Sequence, residues 1–137
     1  TPEKIFARTK SLMHVWKHRD NLNEVTSDRK ADKDYCVWVR DRVEADEELK
    51  RRSANDLKKE GIPSITLEER LLYELKYFDE TGKHLDVDNN WTLCAGSRHL
   101  NGSVPYVHWY DYDDALYVAR YHSDYRHDRI HARSVVS

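Results

Sequence analysis

The sequence predicts an α+β fold, with two main helices packed on a small, mostly antiparallel sheet. Three observations predict it. Thr66-Leu67-Glu68-Glu69 forms a capping box, followed by an apolar stripe of Leu67, Leu71, Leu75 and Phe78 with Leu72 beside it. Thr1-Pro2-Glu3 opens another helix, since Thr caps, Pro suits the first turn and Glu suits the positive end of the dipole. Tyr106, His108, Tyr110 and Tyr112 recur at every second residue among Val104, Val107 and Trp109, which is the period of a strand.

The elements follow in order. Ile5, Phe6, Leu12, Met13 and Trp16 recur at helical spacing, so the first helix is expected to run to about Arg19, ahead of Asn21. Residues 21–33 are polar and read as a loop or short irregular helix. Tyr35-Cys36-Val37-Trp38-Val39 is short, β-branched and aromatic, and reads as a strand that residues 40–43 extend. Residues 44–60 are dense in charge, with Ala45, Leu49 and Leu57 among helix formers, and read as a solvated helix stopped by Gly61-Ile62-Pro63. The capped helix after Thr66 should be the main buried one, ending at Gly82. Its Leu71, Leu75 and Phe78 are expected to lie against a sheet formed by residues 35–39 and the C-terminal strands. Leu116, Val118 and Arg120 then alternate with Tyr117, Ala119 and Tyr121. Residues 111–115 form the turn of a hairpin, a polar loop follows, and Ile130 and the closing Ser-Val-Val return to the core.

Composition narrows the function. The chain has 137 residues, which fits a single domain, and a net charge of -2, which gives no basic excess for nucleic acid. No apolar run is long enough to span a membrane, and no secretory signal is visible, which leaves the location open. Cys36 and Cys94 are not spaced as metal ligands and are expected to be buried free thiols.

Residues 91–137 stand apart. They hold six of the 9 tyrosines and five of the 8 histidines, and no Lys, Glu, Gln or Met. Tyr, His, Asp, Asn, Ser and Arg remain, a set typical of contact surfaces. Ordinary β-propensity would account for one aromatic face, but not for the missing Lys and Glu. Catalytic signals are weak. His122, Asp124, His127, Asp128 and His131 could suggest zinc, but the segment is poor in helix formers and the mix lacks fixed spacing. Residues 111–114, Asp-Tyr-Asp-Asp, lack the glycine and closing glutamate of a calcium loop. Ser97, His99 and Asp111 come without a nucleophile elbow, and Ala-Gly-Ser-Arg-His-Leu-Asn-Gly fits no phosphate loop. No cofactor and no metal site is expected.

The stretches TGKHLD, WTLCAGSR, GSVPYVHW, LYV and the closing ARSVVS resemble the variable proteins of diversity-generating retroelements, nearest to those of archaea, archaeal viruses and small uncultivated prokaryotes. The resemblance covers residues 65–137 and is most specific from Trp91 onward. It implies a C-type lectin-like fold whose last part is rewritten by a reverse transcriptase that misreads template adenines. Asparagine codons then become codons for Tyr, His, Asp, Ser, Arg, Ala or Gly, but not for Lys, Glu, Gln, Met or Trp. Carried over by position, the variable, ligand-binding residues are His99, Tyr106, His108, Tyr110, Tyr112, Asp114, Tyr117, Ala119, Tyr121, His122, Tyr125, His127 and Arg129. The framework is Trp91, Leu93, Cys94, Gly96, Arg98, Gly102, Val104, Pro105, Val107, Trp109, Leu116, Val118, Ala132, Arg133 and Val135. The chain departs from the GGSW-type stretch and GFR-like closing strand of bacterial and phage members, where it has AGSR and HARSVV.

The sequence thus points to a binding protein, not an enzyme. Its partner is expected to be a protein or other surface macromolecule, without nucleic acid or a membrane span. The variable side chains are expected to be mostly exposed and gathered on one surface. Two other readings compete. One is a small metal-dependent hydrolase or nuclease using His122, Asp124, His127 and His131. The other is a nucleic-acid module in which tyrosines stack on bases.

Overall fold

The computed structural model describes residues 1–17, 21–30 and 32–137, with Trp16 by its backbone alone. Helix α1 (Pro2–Leu12) is capped by Thr1, whose hydroxyl accepts the Lys4 N–H at 3.3 Å. It is shorter than its apolar spacing predicts. Met13 is already extended, and Val15–Lys17 forms strand β1. The β-branched and aromatic residues here pair with a distant strand, and that long-range pairing overrides the local helical spacing. Arg19, where the helix was expected to end, lies outside the described residues. Glu3 ties the turn together, accepting from Lys17 Nζ (2.6 Å) and the Leu22 N–H (2.7 Å).

Strand β2 (Thr26–Ser27) follows a 3-10 turn at Leu22–Glu24. Only Trp38–Val39 of the expected strand at 35–39 is paired, as β3. It stays out of the central sheet, and Cys36 is exposed, not buried. A short apolar run does not say which surface covers it, and here Trp38 is 75% exposed. The expected helix over residues 44–60 is broken into a 3-10 turn at Glu47–Leu49 and α2 (Ala54–Lys59). Its sparse apolar residues are the reason. Ala45, Leu49, Ala54 and Leu57 are all buried, and one helix could not bring them all inward. Ser53 and Asp56 supply α2 with its own capping box.

Helix α3 (Leu67–Thr81) matches its sequence signals at both ends. Thr66 and Glu69 exchange capping-box bonds, and Gly82 takes the left-handed conformation at φ 68. Its stripe is narrower than predicted. Leu67 and Leu71 are fully buried, Leu75 and Phe78 are half-buried, and Leu72 is 52% exposed.

The remaining strands are β4 (Trp91–Leu93), β5 (Ser97–Arg98), β6 (Val104–Tyr110), β7 (Ala115–Tyr121), β8 (Ile130–Ala132) and β9 (Val135–Val136). Five of the strands form the central sheet in the order β1-β7-β6-β4-β8. Its inner pairings are antiparallel, but β1–β7 and β4–β8 are parallel, so the sheet is mixed where a mostly antiparallel one was expected. The parallel β8 arises because residues 122–129 carry the chain past β6 and β4 to the far edge. The pairs β2–β5 and β3–β9 are small antiparallel ribbons.

One face of the sheet meets α1 and α3 through Phe6, Met13, Leu71, Val107, Trp109, Leu116 and Val118. A second cluster, Leu49, Leu57, Leu93, Val104, Ile130 and Ala132, lies beside α2. Gly96 is required by packing. Its N–H donates to the Ile65 carbonyl at 3.1 Å, and a Cβ there would overlap the Ser64 carbonyl oxygen.

Between α3 and the sheet lies a closed ionic knot. Arg70, Glu74 and Asp86 are 0% exposed and Arg133 is 1% exposed. Arg70 donates to Glu74 (3.0 Å) and to Asp86 (3.1 Å), and Arg133 donates to Asp86 (3.0 Å) and to the carbonyls of Arg42 (2.8 Å) and Val43 (2.9 Å). Thr92 accepts from Arg133 at 3.0 Å and donates to Asp86. Two guanidiniums thus face two carboxylates, which offsets the cost of burying all four.

Candidate functional site

The opposite face of the central sheet carries aromatic rings. The pleat puts them there. Tyr106 faces Ala119 across β6–β7, His108 faces Tyr117, and Val104 faces Tyr121, all on the side away from Val107 and Val118. In β4, Leu93 pairs with Tyr106, so Trp91 shares this face. The rings touch in series. Tyr112 meets Tyr110 (6.1 Å between centroids), Tyr110 meets Tyr117 (5.6 Å), and Tyr117 meets His108 (5.5 Å). His108 stacks on Trp91 (5.0 Å), Trp91 on Tyr106 (5.1 Å), Tyr106 on Tyr121 (4.8 Å) and Tyr121 on Tyr125 (4.0 Å). His127 lies over Trp91 at 6.1 Å, and the Arg129 guanidinium sits 5.9 Å from the Trp91 ring.

Twelve of the thirteen positions marked by the resemblance belong to this region. Tyr106, His108, Tyr110, Tyr117, Ala119 and Tyr121 lie on one face of the hairpin. Tyr112 and Asp114 lie on its turn, and His122, Tyr125, His127 and Arg129 on the segment leading to β8. His99 is instead buried in the turn ahead of β6, with its N–H on the Ser103 carbonyl at 2.8 Å.

The expectation of mostly exposed side chains is corrected. Tyr110, Tyr112, Asp114, His122 and Arg129 are exposed. Tyr106, Tyr117, Ala119, Tyr121, Tyr125 and His127 are half-buried, and His108 is buried at 6% exposure. The rings cover one another, so even a surface set loses solvent. Burial holds the Tyr106 phenol above the usual tyrosine range and pulls His108 down to about 4, which keeps it neutral at neutral pH. Hydrogen bonding to Asp113 raises the Tyr117 phenol.

The two framework tryptophans have different settings. Trp109 is buried and stacks on His84 at 3.4 Å. Trp91 is half-buried and central to the aromatic face, its indole N–H fixed on the Asp88 carbonyl at 2.8 Å. Sequence reasoning also missed the clamps on residues 122–129. Arg126 pairs with Asp56 (2.6 Å), Arg51 with Asp128 (2.5 Å), and Asn55 with Asp124 (2.7 Å). Partners some seventy residues apart leave no mark in local spacing.

The residues proposed for metal chemistry are not brought together. Among the described residues no group of three or more His, Cys, Asp or Glu is placed to hold a metal ion. His127 stacks in the aromatic face, while His131 is buried with Nε2 3.1 Å from the Asp128 carbonyl. The Ser97 hydroxyl accepts the Leu67 N–H at 2.9 Å and bonds Ser27 at 2.7 Å, a structural duty. Among the described residues no helix is long and apolar enough to cross a membrane. No protein-family model, no curated protein and no solved structure matches this chain.

Proposed function

We propose that this chain is a ligand-binding protein, not an enzyme, built on a C-type lectin-like scaffold and diversified by a retroelement. On this reading the aromatic face is one sample of a variable surface, and its partner is a protein. One observation carries the reading. The positions that the resemblance marks as variable fall almost wholly on one contiguous face, although they are scattered over two strands, a turn and a connecting segment. The missing Lys and Glu over the same stretch fit asparagine codons altered only at their adenines. The face is also suited to binding. Tyrosines offer apolar area with polar tips, and a rigid sheet keeps the ordering cost of association low.

The gene itself provides the test. Beside it there should be a reverse-transcriptase gene and a near-copy of its 3′ end, in which the codons for Tyr106, His108, Tyr110, Tyr117 and Tyr121 read AAC or AAT. Sister copies should differ at these positions and agree at Leu93, Val107 and Trp109. Differences spread evenly over both faces of the hairpin would sink the proposal.

A further inference from the structure

A cavity of about 200 Å³ lies between α2 and the β2–β5 ribbon. Holding one water takes roughly 10–15 Å³, and drug-sized ligands take roughly 300–1,000 Å³, so the space suits a small metabolite. Part of its lining is apolar. Ala54 and Leu57 of α2, with Ile62 and Ala95, bring the second apolar cluster to the cavity. The charged groups on it are Asp28, Lys58 and Arg98. None of the thirteen positions marked by the resemblance lines it.

Arg98 is the unusual member. Arg29, Arg70 and Arg133 are also withdrawn from water, and each meets a carboxylate of the chain. Arg98 is half-buried, yet among the described residues no ion pair includes it. Its Nη1 donates to the carbonyls of Ala95 (2.7 Å) and Ser97 (2.9 Å), which holds the guanidinium in place. Its Nε and Nη2 make no hydrogen bond among the described residues, and neither atom is shut off from solvent. Burial pulls the guanidinium below the usual arginine range, against the opposing charge of Asp28. The Asp28 N–H donates to the Gly96 carbonyl at 2.8 Å, which fixes this residue beside β5. Among the described residues the Asp28 carboxylate makes no hydrogen bond or ion pair, with Arg98 or any other group. One cavity thus carries a guanidinium and a carboxylate that do not pair with each other, beside an apolar wall.

We infer that this cavity binds a free aliphatic α-amino acid, its carboxylate on the Nε–Nη2 edge of Arg98, its ammonium on Asp28 and its side chain against Ala54, Leu57 and Ile62. The edge of a guanidinium matches a carboxylate with two parallel hydrogen bonds, and Lys58 adds positive charge beside it. Asp28 favours the ammonium and repels a phosphate, which would bring like charge to it. The apolar wall rewards a branched aliphatic side chain and offers a charged one no partner. The inference does not depend on the proposed function. Arg98 is a framework position, so on that reading copies with different aromatic faces share this site.

Calorimetric titration of the full chain tests this with L-leucine, N-acetyl-L-leucine, L-leucinamide and inorganic phosphate. N-acetyl-L-leucine keeps the carboxylate but lacks the ammonium, as a peptide C-terminus does. L-leucinamide keeps the ammonium but lacks the carboxylate, as a peptide N-terminus does. Each should bind at least about tenfold more weakly than L-leucine. Asp28→Asn should bring L-leucine down to the affinity of N-acetyl-L-leucine and leave the latter unchanged. Arg98→Lys keeps the charge but loses the two-pronged edge, and L-leucine should no longer raise its melting temperature as it does that of the wild type. Arg98 also anchors two carbonyls, so if Arg98→Lys does not fold, the exposed Asp28→Asn decides. No binding of L-leucine, equal binding of the three leucine compounds, phosphate bound more tightly than L-leucine, or an unchanged Asp28→Asn would overturn the site. The genetic test of the variable surface is independent of these outcomes, so either idea can fail alone.

Discussion

The two faces of strand β4 do opposite things within three residues. Thr92 turns inward and joins Asp86 to Arg133, while Trp91 turns outward and lies among stacked rings. The inner face is held by directional bonds between charges removed from water. The outer face is held by ring contacts whose partners have no required pairing. The difference shows where a sequence can change. A buried ionic knot needs each member, because an orphaned charge in the interior is costly. An aromatic layer loses only the contact area of the ring removed.

The largest expected effect comes from breaking the knot. Asp86→Asn keeps the size of the side chain and suits the left-handed backbone at φ 50, but takes the carboxylate from Arg133 and leaves Arg70 with Glu74 alone. Loss of one partner in such a site costs about 3–5 kcal/mol. Urea unfolding measures it, and a loss no greater than that of Tyr112→Ser would erase the contrast between the faces.

A core truncation should come next. Leu71→Ala removes a fully buried side chain beneath α1 and should cost about 2–5 kcal/mol. Leu75→Ala should cost less, since Leu75 lies half-buried at the margin of that cluster. If the two rank the other way in thermal melts, α3 is rotated from the position described.

These two truncations also mark what the sequence could tell. Helix α3 and the β6–β7 hairpin were legible because their signals are local: a capping box, a closing glycine, and an alternation with a period of two. The parallel strand Val15–Lys17 was not, because its partner is about a hundred residues away. The charged run at 44–60 hid its buried members, because nothing local marks Asp46 as the acceptor for Arg40 and Ser134. Arg70 and Glu74 have the i,i+4 spacing common to solvated pairs, yet they follow Leu67 by three and seven residues, on its buried face. That phase was the available signal. For the site, alternation placed Tyr106, His108 and Tyr110 on one face. It could not show that stacking buries His108, nor that Trp91 would join them from another strand.

A smaller effect should appear with pH. His108 titrates at about 4 in the folded chain, below its ordinary value of 6.5, because burial penalises the imidazolium. As pH falls, the unfolded chain takes up this proton first. The contribution of His108 to stability is therefore complete above about pH 6.5 and lost progressively towards pH 4. With partial solvent screening the loss is on the order of 2 kcal/mol. Other groups titrate in the same window, so the quantity to measure is the difference between the wild type and His108→Phe. Parallel stability curves for the two from pH 7 to pH 4 would place His108 in contact with water.

The smallest effect is the one that most sharpens the contrast. Tyr110, Tyr112, His122 and Arg129 are the exposed members of the aromatic region other than Asp114. Each touches the layer from its margin: Tyr112 reaches it through Tyr110, His122 through Tyr125, and Arg129 through Trp91. None belongs to either apolar cluster or to the ionic knot. Exposed substitutions of this kind usually shift stability by no more than about 0.5 kcal/mol each. A variant with all four changed to Ser should therefore fold, with a melting temperature only slightly below that of the wild type. The paired substitution Trp91→Ser and Trp109→Ser should not fold stably. Trp109 fills the main cluster and stacks on His84, and Trp91 contacts Tyr106, His108, Tyr121 and His127 at once. Within the pair, Trp109→Ser should do the greater damage, because it opens a cavity in the main apolar cluster, whereas Trp91→Ser opens a half-solvated surface. If the quadruple variant unfolds while the paired tryptophan variant survives, the ring layer holds the sheet together and is not a replaceable surface.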